Sequence, residues 1–66
     1  MMTMVRDLKE GDVFFSKQCQ RWYVHQGDDH LFPDRRIHVE QLRKNGQRSG
    51  NHYYIYKDDV VRTFSD

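Results

Sequence analysis

The chain has 66 residues, with ten acidic side chains, eleven basic ones, four histidines and a net charge of +1 with histidine neutral. That length excludes two folded domains, and an apolar fraction of 36% against a charged fraction of 32% allows one thin core. Apolar runs are short, three residues at Val13 to Phe15 and at most four at Tyr53 to Tyr56, which excludes a membrane-spanning helix, since that needs about 20 apolar residues.

Met1 to Met4 lacks a signal-peptide stretch. Cys19 is the only cysteine, which excludes an intramolecular disulfide and fits a reducing compartment. The expected location is the cytoplasm. Residues 1 to 66 are expected to form one small domain, of which residues 1 to 7 are allowed to be a disordered end.

β-branched and aromatic residues number 19, against six leucines and methionines and no alanine, a balance that favours sheet. Glu10-Gly11-Asp12 is a turn that launches a strand at Val13 to Phe15. Ser16 to Gln20 is polar and reads as a loop before a second strand at Arg21 to Gln26. Gly27-Asp28-Asp29-His30 is turn chemistry. Pro33-Asp34 then restarts the chain into a third element, Arg36 to Leu42, where Ile37 and Val39 alternate with His38 and Glu40 at strand spacing. The competing reading is a helix with Asp34 as N-cap and Asn45-Gly46 as its stop. Lys44 to Asn51 reads as a flexible hairpin tip, His52 to Lys57 as the returning strand, and Val60 to Phe64 as a short strand or single helical turn. Strict alternation sends Val13, Phe15, Trp22, Val24, Ile37, Val39, Tyr53 and Ile55 inward and leaves Phe14, Tyr23, Tyr54 and Tyr56 outside.

Five short antiparallel strands predict an all-β fold curled into a small barrel that hides its own edges. Leu8, Gly11-Asp12-Val13, Trp22-Tyr23-Val24, Ile37-His38-Val39 and Tyr53 to Tyr56 with Val60-Val61 together resemble the SH3-like small-barrel class. The chain looks like small bacterial and phage proteins that open with Leu-x-x-Gly-Asp-Val. Asn51 to Phe64 also resembles the wing and following helix of excisionase-type winged-helix DNA binders, which implies an α+β alternative. The β-rich residues 11 to 26 depart from the helix-turn-helix those proteins place upstream.

Charge is unevenly distributed. Arg35, Arg36, Arg43, Lys44, Arg48 and Lys57 face Glu40 alone across residues 35 to 57, a surplus of +5, while each flank carries −2. Cations beside the outward rings of Tyr54 and Tyr56 suit RNA or single-stranded DNA, because every base has a π-face and guanidinium groups hold phosphates. These eight residues are the expected binding site. The same residue types also make protein hot spots, so a protein partner, as for a phage-type inhibitor or adaptor of a host protein, is the alternative. A homodimer joined strand to strand is a third.

Cys19, His25, His30 and His38 are spaced six, five and eight residues apart, which matches no paired-ligand zinc pattern, so no metal or cofactor is expected. Asp28-Asp29 and Asp58-Asp59 read as turn formers rather than a catalytic pair, and so small a chain has little room for a substrate pocket. The expected function is binding without catalysis.

Overall fold

The computed structural model describes residues 2 to 63. It is all-β, as the composition predicts. Six strands run antiparallel: β1 (Met2–Met4), β2 (Val13–Ser16), β3 (Arg21–Asp28), β4 (Arg36–Leu42), β5 (Arg48–Tyr56) and β6 (Val60–Thr63). They lie in one sheet in the order β1-β6-β2-β3-β4-β5. Among the described residues no pairing joins β1 to β5, so the sheet is open where a closed five-stranded barrel was expected. The only helical element there is a 3-10 turn at Val5–Asp7, and Val60–Thr63 is a strand, which removes the winged-helix alternative. Phe64, the expected end of that strand, lies outside the described residues.

The additional strand is the first one. Met2, Thr3 and Met4 pair with Arg62, Val61 and Val60, and the Val5 and Arg6 amides donate to the Asp59 and Lys57 carbonyls at 2.9 and 3.1 Å. Val5 is fully buried. Residues 2 to 6 are therefore tied to β6 and to the turn before it. Met1 lies outside the described residues.

The core collects Val5, Phe14, Tyr23, Ile37, Val39, Ile55 and Val61, with Leu8 packed against it. Ile37, Val39 and Ile55 face as their alternation predicts. On β2 and β3, Phe14 and Tyr23, expected outside, face the core, while Val24, expected inside, is buried on the opposite face. Phe14 stands opposite Tyr23 and both are buried, while Phe15 and Trp22 pack edge to face on the other side with ring centres 5.2 Å apart. The cause is that both neighbours of each central ring are apolar too, so a one-residue shift exchanges one apolar set for another. Tyr53 lies on the core side but on the edge strand β5, and stays half-exposed.

Two bulges shape the surface. Between His25 and Asp28, β3 takes three steps against two on β4, and Gly27 sits there at φ +111°, a conformation glycine adopts without Cβ strain. Between Glu40 and Leu42 the extra residues are on β5, because Leu42 pairs with Arg48 while Glu40 pairs with His52. The strand therefore begins at Arg48, and the flexible tip shrinks to Arg43 to Gln47. That tip is closed by the Arg43 amide donating to the Gln47 carbonyl at 2.7 Å.

Candidate functional site

The pairing register fixes which side chains share the face opposite the core. Phe15 faces Trp22 on β2 and β3. Val24 faces Glu40, Glu40 faces His52, His38 faces Tyr54, and Arg36 faces Tyr56. Alternation along β4 places Arg36, His38, Glu40 and Leu42 in one row with them. One continuous strip thus runs from Phe15 and Trp22, past Leu42 and Glu40, to Tyr54, Arg36 and Tyr56.

At the Trp22 end lie two adjoining grooves of about 290 and 320 Å³ that share Trp22, Leu42, Arg43 and Lys44 as walls, with Arg21 on one side and Val13 on the other. Arg21, Arg43 and Lys44 are exposed, and none has an acidic partner within ion-pair distance among the described residues. Arg21 Nη1 only donates to the neighbouring Gln20 carbonyl at 3.0 Å.

The middle of the strip is neutralised internally. Glu40, 6% exposed, accepts from Arg48 Nη1 at 3.3 Å and from the Gly50 amide at 3.0 Å. Arg48 is therefore a structural partner of a buried carboxylate.

At the other end, Arg36 is built into the surface. Its guanidinium donates to Asp29 Oδ2 from Nη2 at 2.8 Å and from Nε at 3.3 Å, and lies 4.6 Å from the centre of the Phe32 ring. Asp29 Oδ2 also accepts from the Leu31 and Phe32 amides at 3.1 and 2.9 Å. The Arg36 hydrogen bond, followed by the Phe32 amide, holds the Asp29 carboxyl below its ordinary range. Lys57 Nζ pairs with Asp28 Oδ1 at 3.1 Å, and Arg6 pairs with Asp58. Tyr54 and Tyr56 are each 49% exposed and meet edge to face at 5.7 Å. Arg35 is exposed at the rim of a small pocket with Phe32, Arg36 and Tyr56.

The eight residues singled out in the sequence thus fall into two groups at opposite ends of the strip. Arg35, Arg36, Tyr54, Tyr56 and Lys57 form one, in which Arg36 and Lys57 are neutralised. Arg43 and Lys44 belong to the other, and Arg48 serves Glu40 between them. Arg21 and Trp22 were missed as site residues. Their adjacency in sequence was the available sign, but it was masked by assigning Trp22 to the core.

Among the described residues no three histidine, cysteine, aspartate or glutamate side chains cluster as a metal centre, and no helix is long and apolar enough to cross a membrane. Compared with protein-family models, curated proteins and solved structures, the chain matches none.

Proposed function

We propose that this chain is a non-enzymatic module that binds RNA or single-stranded DNA along the strip from Trp22 to Tyr54. The observation that carries the reading is the set of three exposed cations, Arg21, Arg43 and Lys44, that ring the Trp22 grooves and have no acidic partner among the described residues. Cations without internal partners keep their field for phosphates, and neutralising phosphates releases counterions, which drives affinity. Trp22 lines both grooves beside them, and aromatic side chains are what bases of any sequence stack against. The fold we assign to it is SH3-like, supported by the order β6-β2-β3-β4-β5: a four-strand meander whose following strand returns beside its first, with β1 added at the edge.

A second reading is supported at the other end. There Asp28 and Asp29 cancel Lys57 and Arg36, while Phe32, 47% exposed, shares a pocket with Tyr56, and the preceding Leu31 is 72% exposed. A neutral patch of exposed rings suits a protein partner better than a phosphate chain.

Fluorescence polarisation of labelled single-stranded and duplex oligonucleotides at low and moderate salt separates the two. The nucleic-acid reading expects salt-sensitive binding that is lost in the Arg21, Arg43 and Lys44 triple-alanine variant. Arg48 is left intact there, because removing it strands the buried Glu40 charge. Absence of binding at low salt would leave the protein reading.

A further inference from the structure

His38 and His52 stand on adjacent strands of the same face with His38 Nε2 3.0 Å from His52 Nδ1 and ring centres 4.9 Å apart. Their backbones are held by the β4–β5 ladder, in which His38 is opposite Tyr54 and His52 opposite Glu40. His52 is exposed and His38 partly so. The other two histidines stand apart from this pair. His25 is buried and its Nδ1 accepts from the Gly27 amide at 3.0 Å, and His30 lies on the exposed turn after β3.

We infer that His38 and His52 form a two-imidazole site for a tetragonal divalent transition-metal ion, Cu²⁺ in preference to Ni²⁺ or Zn²⁺. The two nitrogens, in hydrogen-bond contact in the metal-free pair, already lie close enough for one ion to take both. Two metal–nitrogen bonds of about 2.0 to 2.1 Å at a right angle put their nitrogens about 2.9 Å apart, whereas a tetrahedral angle puts them about 3.4 Å apart. The observed 3.0 Å fits cis positions of a square-planar or octahedral ion, the geometry of Cu²⁺ and Ni²⁺. The affinity order for divalent ions places Cu²⁺ first. In the neutral pair one facing nitrogen donates and the other accepts. Metal binding needs a lone pair on both, so the donating ring moves its proton to its outer nitrogen, and no proton is lost overall. Water fills the remaining positions, because the carboxylate of Glu40 is committed to Arg48 and Gly50.

This site rests on the histidine pair alone and is independent of the nucleic-acid reading. The test is calorimetric titration of the tag-free full chain with Cu²⁺, Ni²⁺ and Zn²⁺ in a non-coordinating buffer, with electron paramagnetic resonance of the Cu²⁺ form. The expected results are one site, Cu²⁺ tightest, two equatorial nitrogens, and affinity about tenfold or more weaker in either His38→Ala or His52→Ala. His30→Ala should bind as the parent chain does. Circular dichroism establishes that each variant is folded. Unchanged Cu²⁺ affinity in both folded pair variants, an equal loss in His30→Ala, or no binding by the parent chain would overturn the inference.

Discussion

The guanidinium carbon of Arg36 lies 3.7 Å from the centre of the Tyr54 ring. The same guanidinium is held by Asp29, so a cation–π contact and an ion pair lock β4, β5 and the turn after β3 into one unit. One face of Tyr54 is therefore occupied from within the molecule. A base reaching this end has only the other face to stack on.

Arg36→Ala is expected to lower the melting temperature more than Arg35→Ala does, because Arg35 has no acidic partner among the described residues. The pair also sets an acid limit. Asp29 has a folded-state pKa below its ordinary value, so its contribution is present above that ordinary value and is lost as pH falls through the folded one. Thermal melts from neutral to strongly acid pH should show a steeper loss in the parent chain than in Asp29→Asn.

Phe14 is fully buried and stands with Tyr23 at the centre of the core. Phe14→Ala should cost about 3 to 5 kcal/mol, enough to unfold much of so small a chain. Phe15→Ala should cost less, since Phe15 lies on the other face and is only partly buried. Urea denaturation of the two variants checks the reversed register directly. Equal costs would contradict it.

His25 gives a second pH dependence, of opposite residue type but the same direction. Desolvation lowers its pKa, against the raising pull of Asp12, Asp28 and Glu10. The unfolded chain takes up a proton near the ordinary value of 6.5 while the folded imidazole stays neutral, so stability falls as pH drops from there through the folded pKa. His25→Asn should flatten the melting temperature as pH falls below about 6.5. An unchanged slope would remove His25 as the cause.

The three cations around Trp22 should set the salt response. Each phosphate neutralised on a single strand contributes about 0.7 to the log–log slope, so removing Arg21, Arg43 and Lys44 together should reduce it by about 2. The comparison is made from binding isotherms at several salt concentrations.

Much of the sheet was legible in the residues. Ile37-His38-Val39-Glu40 alternates cleanly, and β4 runs from Arg36 to Leu42 as that alternation predicts. Val13-Phe14-Phe15 and Trp22-Tyr23-Val24 are apolar at every position, so alternation cannot say which face meets the core: Phe14 and Tyr23 join it, while Val24 is buried on the other face. Strand β1 was invisible because Met2-Thr3-Met4 has no flanking turn signal, and its partner Arg62 lies at the far end of the chain.

The proposed binding residues were legible by type and not by pairing. The surplus of arginine and lysine was plain in the sequence. That Asp28 reaches Lys57 and Asp29 reaches Arg36 depends on the bulge at Gly27 and on contacts between segments distant in sequence. Those two pairs, with Glu40 and Arg48, decide which cations remain available.

The most direct test of the nucleic-acid account uses Trp22, the only tryptophan in the chain, as its own reporter. Titrating the protein with a single-stranded oligonucleotide at low and moderate salt, while following tryptophan fluorescence, reads stacking at the site itself. The account predicts quenching that saturates, weakens with salt and disappears in the Arg21, Arg43 and Lys44 triple-alanine variant. Fluorescence that stays unchanged at low salt, or quenching that is equal in the variant, would contradict it.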